Sequence, residues 1–146
     1  MKESTSIATI ESEIMDAVHA YTKAAREAFK GNLKPMVDVW SHSNDVTLLD
    51  PSGGRHVGWD AVRGFIEQLT SGVQSGECEA RDVLVRGDNT MAYVVANEDM
   101  SFTMKSGQSM KFAQRSTVIF RREGNAWKMI HHHDDVSPAM QGMSMK

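Results

Sequence analysis

One cysteine among 146 residues rules out an internal disulfide and fits a reducing compartment. That residue, Cys78, is flanked by Glu77 and Glu79, and acidic neighbours disfavour the thiolate a catalytic cysteine needs. No apolar run approaches the length that crosses a bilayer, and the opening Met-Lys-Glu-Ser-Thr-Ser lacks the apolar core of a secretory signal. A cytoplasmic protein without membrane contact is therefore expected. Basic residues do not dominate, with 16 Lys and Arg against 19 Asp and Glu, and they form no long run. A net charge of -3 of this kind carries no nucleic-acid footprint. Repeats and linkers are also missing, so a single domain over 1–146 is expected. Its core should span about 7–138, and the segment 139–146, with Met140, Met143 and Met145, reads as a flexible tail.

What is present is an ordinary globular composition, 40% hydrophobic and 24% charged. Ile7, Ile10, Ile14, Val18, Tyr21 and Ala25 recur at three- and four-residue spacing and predict a long amphipathic helix closed by Gly31-Asn32. A short helix follows from Leu33, with Pro35 in its first turn. Val46 to Asp50 reads as a strand ended by Pro51-Ser-Gly-Gly, and Trp59 to Leu69 as a third helix. From Cys78 onward the pattern alternates. Cys78 to Val85, Met91 to Met104, Ser109 to Arg121 and Trp127 to Asp134 predict strands joined by short turns. Helices first and strands last imply an α+β fold, a bent antiparallel sheet of roughly four to six strands wrapped over three helices.

This order of elements, together with Leu49-Asp50-Pro51, Gly58-Trp-Asp-Ala-Val-Arg-Gly-Phe65 and Trp127-Lys-Met-Ile-His-His-His133, resembles the nuclear transport factor 2-like superfamily. Within it the likeness is to the SnoaL-like polyketide cyclases and the ketosteroid isomerase-like proteins. The last block is also similar to the association domain of calcium/calmodulin-dependent protein kinase. The resemblance implies a cone-shaped, cystatin-like sheet closed by helices around an apolar pocket, and a dimer packed sheet to sheet. It implies no cofactor. One fold of this kind hosts many reactions, so chemistry must be read from residues.

Asp50 matches the position of the general base in the isomerases, and it reads equally as an Asx turn before Pro51-Ser-Gly. As a base in an apolar mouth it is expected to have a raised pKa. Tyr21, on the buried helical stripe, could hold an enolate oxygen, although it sits about one turn early for the isomerase tyrosine. The acidic donor of the isomerases falls on Val118 or Thr117, neither of which can serve, which argues against classical steroid isomerisation.

Alternation on the last two strands puts Val118, Phe120, Ile130, His132 and Asp134 inside. Trp127, Met129, His131 and His133 fall outside, on the face expected to form the homodimer, with the inverted register left open. Asp50, His132 and Asp134 are thus the candidate acid–base residues. Tyr21, Trp40, Trp59, Val118, Phe120 and Ile130 are the candidate contacts to a small hydrophobic, carbonyl-containing ligand. No metal is expected, since adjacent histidines on a strand diverge. A non-catalytic binding or assembly module is the alternative.

Overall fold

The computed structural model describes residues 6–136, so the methionine-bearing tail lies outside the described residues. Helix α1 spans Ile7–Phe29 and buries Ile10, Ile14, Val18, Tyr21 and Ala25. Ile7, expected on that stripe, is exposed in the first turn. Ser6 caps the start by accepting from the Thr9 N–H at 3.1 Å. At the other end Gly31, at φ 97°, makes the left-handed exit of a Schellman cap. There the Asn32 N–H donates to Glu27 O and the Gly31 N–H to Ala28 O, each at 2.9 Å. Helices α2 (Lys34–Val39) and α3 (Trp59–Ser71) follow where the apolar spacing placed them.

Six strands form one sheet in the order β2-β1-β6-β5-β4-β3. Their ranges are β1 Thr47–Leu49, β2 Arg55–Val57, β3 Val73–Gly87, β4 Met91–Met104, β5 Ser109–Glu123 and β6 Ala126–Val136. The pairings are antiparallel except that β1 runs parallel to β6, so the sheet is mixed rather than purely antiparallel. Strand β2, three residues long, is too short to show a sequence period and was not expected. Helix α1 lies across the concave face, chiefly against β3.

Alternation on β4 and β5 is regular. Ala92, Val94, Ala96, Met100 and Phe102 are buried inward, and across from the first four lie Phe120, Val118, Ser116 and Phe112. The last strand breaks step. Ile119 pairs with His131 but Phe120 pairs with Met129, leaving Ile130 as an inserted residue, a β-bulge. Two corrections follow from that one residue. Met129 is fully buried on the inner side, joined by a parallel bridge to Trp40, instead of lying outside. Trp127 is also on the helix side: its indole N–H donates to Glu13 Oε1 on α1 at 2.8 Å, beneath the Arg122 guanidinium. Beyond the bulge the expected register holds. His132 and Asp134 are buried, while His131 is half-buried and His133 exposed.

Candidate functional site

The cone holds a cavity of about 210 Å³. Its walls are mostly apolar: Ala25, Ala28 and Phe29 from α1, Met36 and Trp40 from the α2 region, Phe65, Ile66 and Leu69 from α3, and Met100, Phe102 and Phe112 from the sheet. Polar groups are few, namely Tyr21, Asp50, Ser52, Thr70, Gln114, His132 and Asp134. Apolar walls with a few placed polar groups are what small-molecule sites have.

Of the residues singled out from sequence, Tyr21, Trp40, Asp50, His132 and Asp134 meet in this cavity. The other four do not line it. Val118 and Phe120 point inward but belong to the packed core, and Ile130 is the bulge residue, buried in that same core. Trp59 turns away and stacks on the His42 ring at 4.3 Å.

Asp50 forms the turn that the sequence allowed and also faces the cavity. It takes the Ser52 N–H at 2.8 Å and the Ser52 hydroxyl on Oδ1. His56 Nε2 donates to Oδ2 at 2.8 Å, and the His56 ring packs on Phe65 at 4.4 Å. Burial by itself would raise the carboxyl, but the bonds from Ser52, His56 and the backbone outweigh it, and the pKa ends below the ordinary value of 3.8. The expectation of a raised pKa is thus corrected. At neutral pH Asp50 is an ionised carboxylate.

The opposite polar wall is larger than the sequence suggested. His132 Nε2 lies 3.0 Å from Ser116 Oγ, 2.8 Å from Asp134 Oδ1 and 3.7 Å from Glu98 Oε2. Gln114 Nε2 donates to the other Glu98 oxygen at 2.8 Å. Tyr21 meets the His132 ring edge to face at 5.2 Å. Burial would lower His132, but Asp134 and Glu98 outweigh it and lift the pKa to about 10. Burial alone would raise Glu98; its contacts to His132, Gln114 and Ser116 hold it below the ordinary range. Burial and the Glu98 charge leave Asp134 raised, His132 offsetting this only in part. One imidazole thus faces two buried carboxyls, which it holds unequally, Glu98 lowered and Asp134 raised. The Tyr21 phenol is pushed well up, by burial first and then by Glu98. It stays protonated, and among the described residues no hydrogen bond holds its hydroxyl.

Glu98, Gln114 and Ser116 were missed although a signal existed. Glu98 has the same parity as Ala92, Val94, Ala96, Met100 and Phe102, and Gln114 and Ser116 the parity of Val118 and Phe120. A polar residue on an apolar strand face marks a buried polar site.

Solved structures share this architecture at low identity. A candidate dehydratase of the nuclear transport factor 2-like family from Streptomyces avermitilis aligns with a TM-score of 0.78 at 16% identity, covering 90% of this chain and 99% of its own. A candidate scytalone dehydratase from Novosphingobium aromaticivorans aligns at 0.77 and 10%, covering 89% and 85%. A candidate calcium/calmodulin-dependent protein kinase II association domain from Xanthomonas campestris aligns at 0.68 and 15%, covering 94% and 96%. No curated protein matches the chain. At these identities the structural likeness speaks for the fold. The family model for the SnoaL-like domain matches residues 14–140, nearly the whole length, and the chain belongs to that family.

Proposed function

We propose that this protein binds a small, flat, hydrophobic carbonyl compound in the cone and moves a proton on it without a cofactor. The observation that carries the reading is one apolar cavity walled by an ionised carboxylate, Asp50, and by the protonated Tyr21 phenol beside His132. In this reading the Asp50 carboxylate takes a proton from the carbon next to the carbonyl. Tyr21 and His132 donate to the carbonyl oxygen as charge develops there, where fixed donors in a dry site have their largest effect. The neighbours named as dehydratases are consistent with proton-transfer chemistry in such a cone.

The test needs no knowledge of the natural substrate. With 2-tetralone in D₂O as a bicyclic ketone probe, the protein is expected to accelerate α-proton exchange, read by NMR. Asp50→Asn should remove about 10²–10⁴-fold of that acceleration. Because the Asp50 pKa is depressed, the carboxylate stays ionised as pH falls through the ordinary value of 3.8. Exchange should therefore persist at that pH and decline only below it. Acceleration that survives Asp50→Asn intact would remove Asp50 from the mechanism.

We also propose that two copies pair through the outer sheet face, on residues other than Trp127 and Met129. Leu84, Met91, Tyr93 and Val95 are large apolar side chains left exposed there, in register with Ile119, His131 and His133. Tyr93→Glu is expected to shift the sedimenting species from dimer to monomer, and a wild-type monomer at micromolar concentration would contradict the pairing. No helix among the described residues is long and apolar enough to cross a membrane. The buried, unpaired Cys78 is consistent with the proposed cytoplasmic setting.

A further inference from the structure

Two carboxylates and an imidazole converge where the sequence showed only diverging histidines, because the third group, Glu98, comes from a strand two places away. We propose that Glu98, His132 and Asp134 form a binding site for one divalent transition-metal ion of the zinc class, open on one side to the cavity. This site shares His132 with the proton-transfer reading but does not rest on it, and the two are tested apart.

Four observations support it. First, His132 Nε2 and one oxygen from each acid all lie within 4.8 Å of one another. Zinc bonds of ~2.0–2.2 Å place tetrahedral donors about 3.4 Å apart. The observed 2.8 Å and 3.7 Å from Nε2 to the two oxygens bracket that spacing.

Second, Asp134 Oδ1 is buried and accepts no hydrogen bond. It stands 2.8 Å from His132 Nε2 but off the line of an N–H bond, while Ser116 Oγ lies within hydrogen-bond reach of that nitrogen. A buried carboxylate oxygen without a donor is costly, and a cation between it and the ring nitrogen would satisfy it.

Third, the charges balance. Two carboxylates and a neutral imidazole neutralise a divalent ion, whereas one imidazolium offsets only one acid. Fourth, the surroundings suit a metal. Gln114 donates to Glu98 Oε1 and so fixes the carboxylate's orientation, as hydrogen-bond partners of metal ligands do. His132 and Asp134 both reach the cavity wall, which gives the ion a way in and leaves a coordination position for water or a ligand oxygen.

The probes are Co²⁺ and Zn²⁺ added alone to the purified, chelator-treated protein. One Co²⁺ per chain is expected, with visible ligand-field bands of low coordination number, and Zn²⁺ should displace it. Glu98→Gln, nearly isosteric, should weaken uptake at least tenfold while the protein still unfolds cooperatively. Asp134→Asn serves as the second variant should the first fail to fold. A His131→Ala/His133→Ala double variant should bind as the wild type does. No stoichiometric uptake of either ion overturns the proposal. So does uptake untouched by the Glu98 and Asp134 variants, or uptake lost with His131 and His133, which would place the ion on the outer face. Metal uptake and tetralone exchange by the metal-free protein are separate readings, so either proposal can fail alone.

Discussion

His132→Ala should cost the protein about 3–5 kcal/mol of stability, a large share of the ~5–15 kcal/mol that holds a domain folded. The imidazole is the only described cation within reach of the Glu98 and Asp134 carboxyls, and all three groups are more than nine-tenths buried. Removing it leaves two acids facing one another without water. Both must then take protons or the strands must part. The Tyr21 ring also loses its edge-to-face partner. Urea unfolding at neutral pH measures the loss. His133→Ala, one residue along and exposed on the other face, sets the scale and should change stability by less than about 0.5 kcal/mol. A His132→Ala protein within 1 kcal/mol of wild type would mean that the cluster is not the closed electrostatic unit described here.

Gly54→Ala should silence proton transfer without replacing any group that carries it. A Cβ on Gly54 would overlap Asp50 Oδ2 and come within 2.8 Å of His56 Nε2, so the carboxylate must move. The backbone at Gly54 is not in the left-handed region, so alanine meets crowding there rather than conformational strain. Misplacing a catalytic group by about 1 Å can cost on the order of 10²-fold in rate, and overpacking costs about 1–3 kcal/mol. The expected result is tetralone exchange reduced to near that of Asp50→Asn, in a protein that still folds. Full exchange in Gly54→Ala would show that the turn gives way without disturbing Asp50, or that Asp50 does not act.

How much of this was legible depended on how regular each element is. Helix α1 could be read because its stripe is long, and β4 because its alternation runs unbroken from Met91 to Met104. His132 and Asp134 were placed inside correctly because they lie beyond the bulge, on a stretch still in step with β5. Trp127 and Met129 were misplaced because one inserted residue, Ile130, inverts every side chain before it, and no glycine or proline in the strand marks the insertion. Asp50 was found by position, but its pKa was not. That value depends on His56, which sits on a strand of three residues with no readable period. Glu98 was legible and overlooked. It breaks an apolar face by a single residue, and its meaning appears only when Gln114, Ser116 and His132 stand beside it.

The central claim is that one cavity holds a carbonyl compound with its oxygen against Tyr21 and His132 and its acidic carbon towards Asp50. Locating a bound planar enol tests this most directly. A crystal structure with 2-naphthol, the aromatic counterpart of the tetralone enol, should show the ring among Phe65, Ile66 and Phe102, with its oxygen in hydrogen-bond reach of the Tyr21 hydroxyl or His132. A naphthol turned with its oxygen to solvent, or a cavity that stays free of it at saturating concentration, would contradict the account.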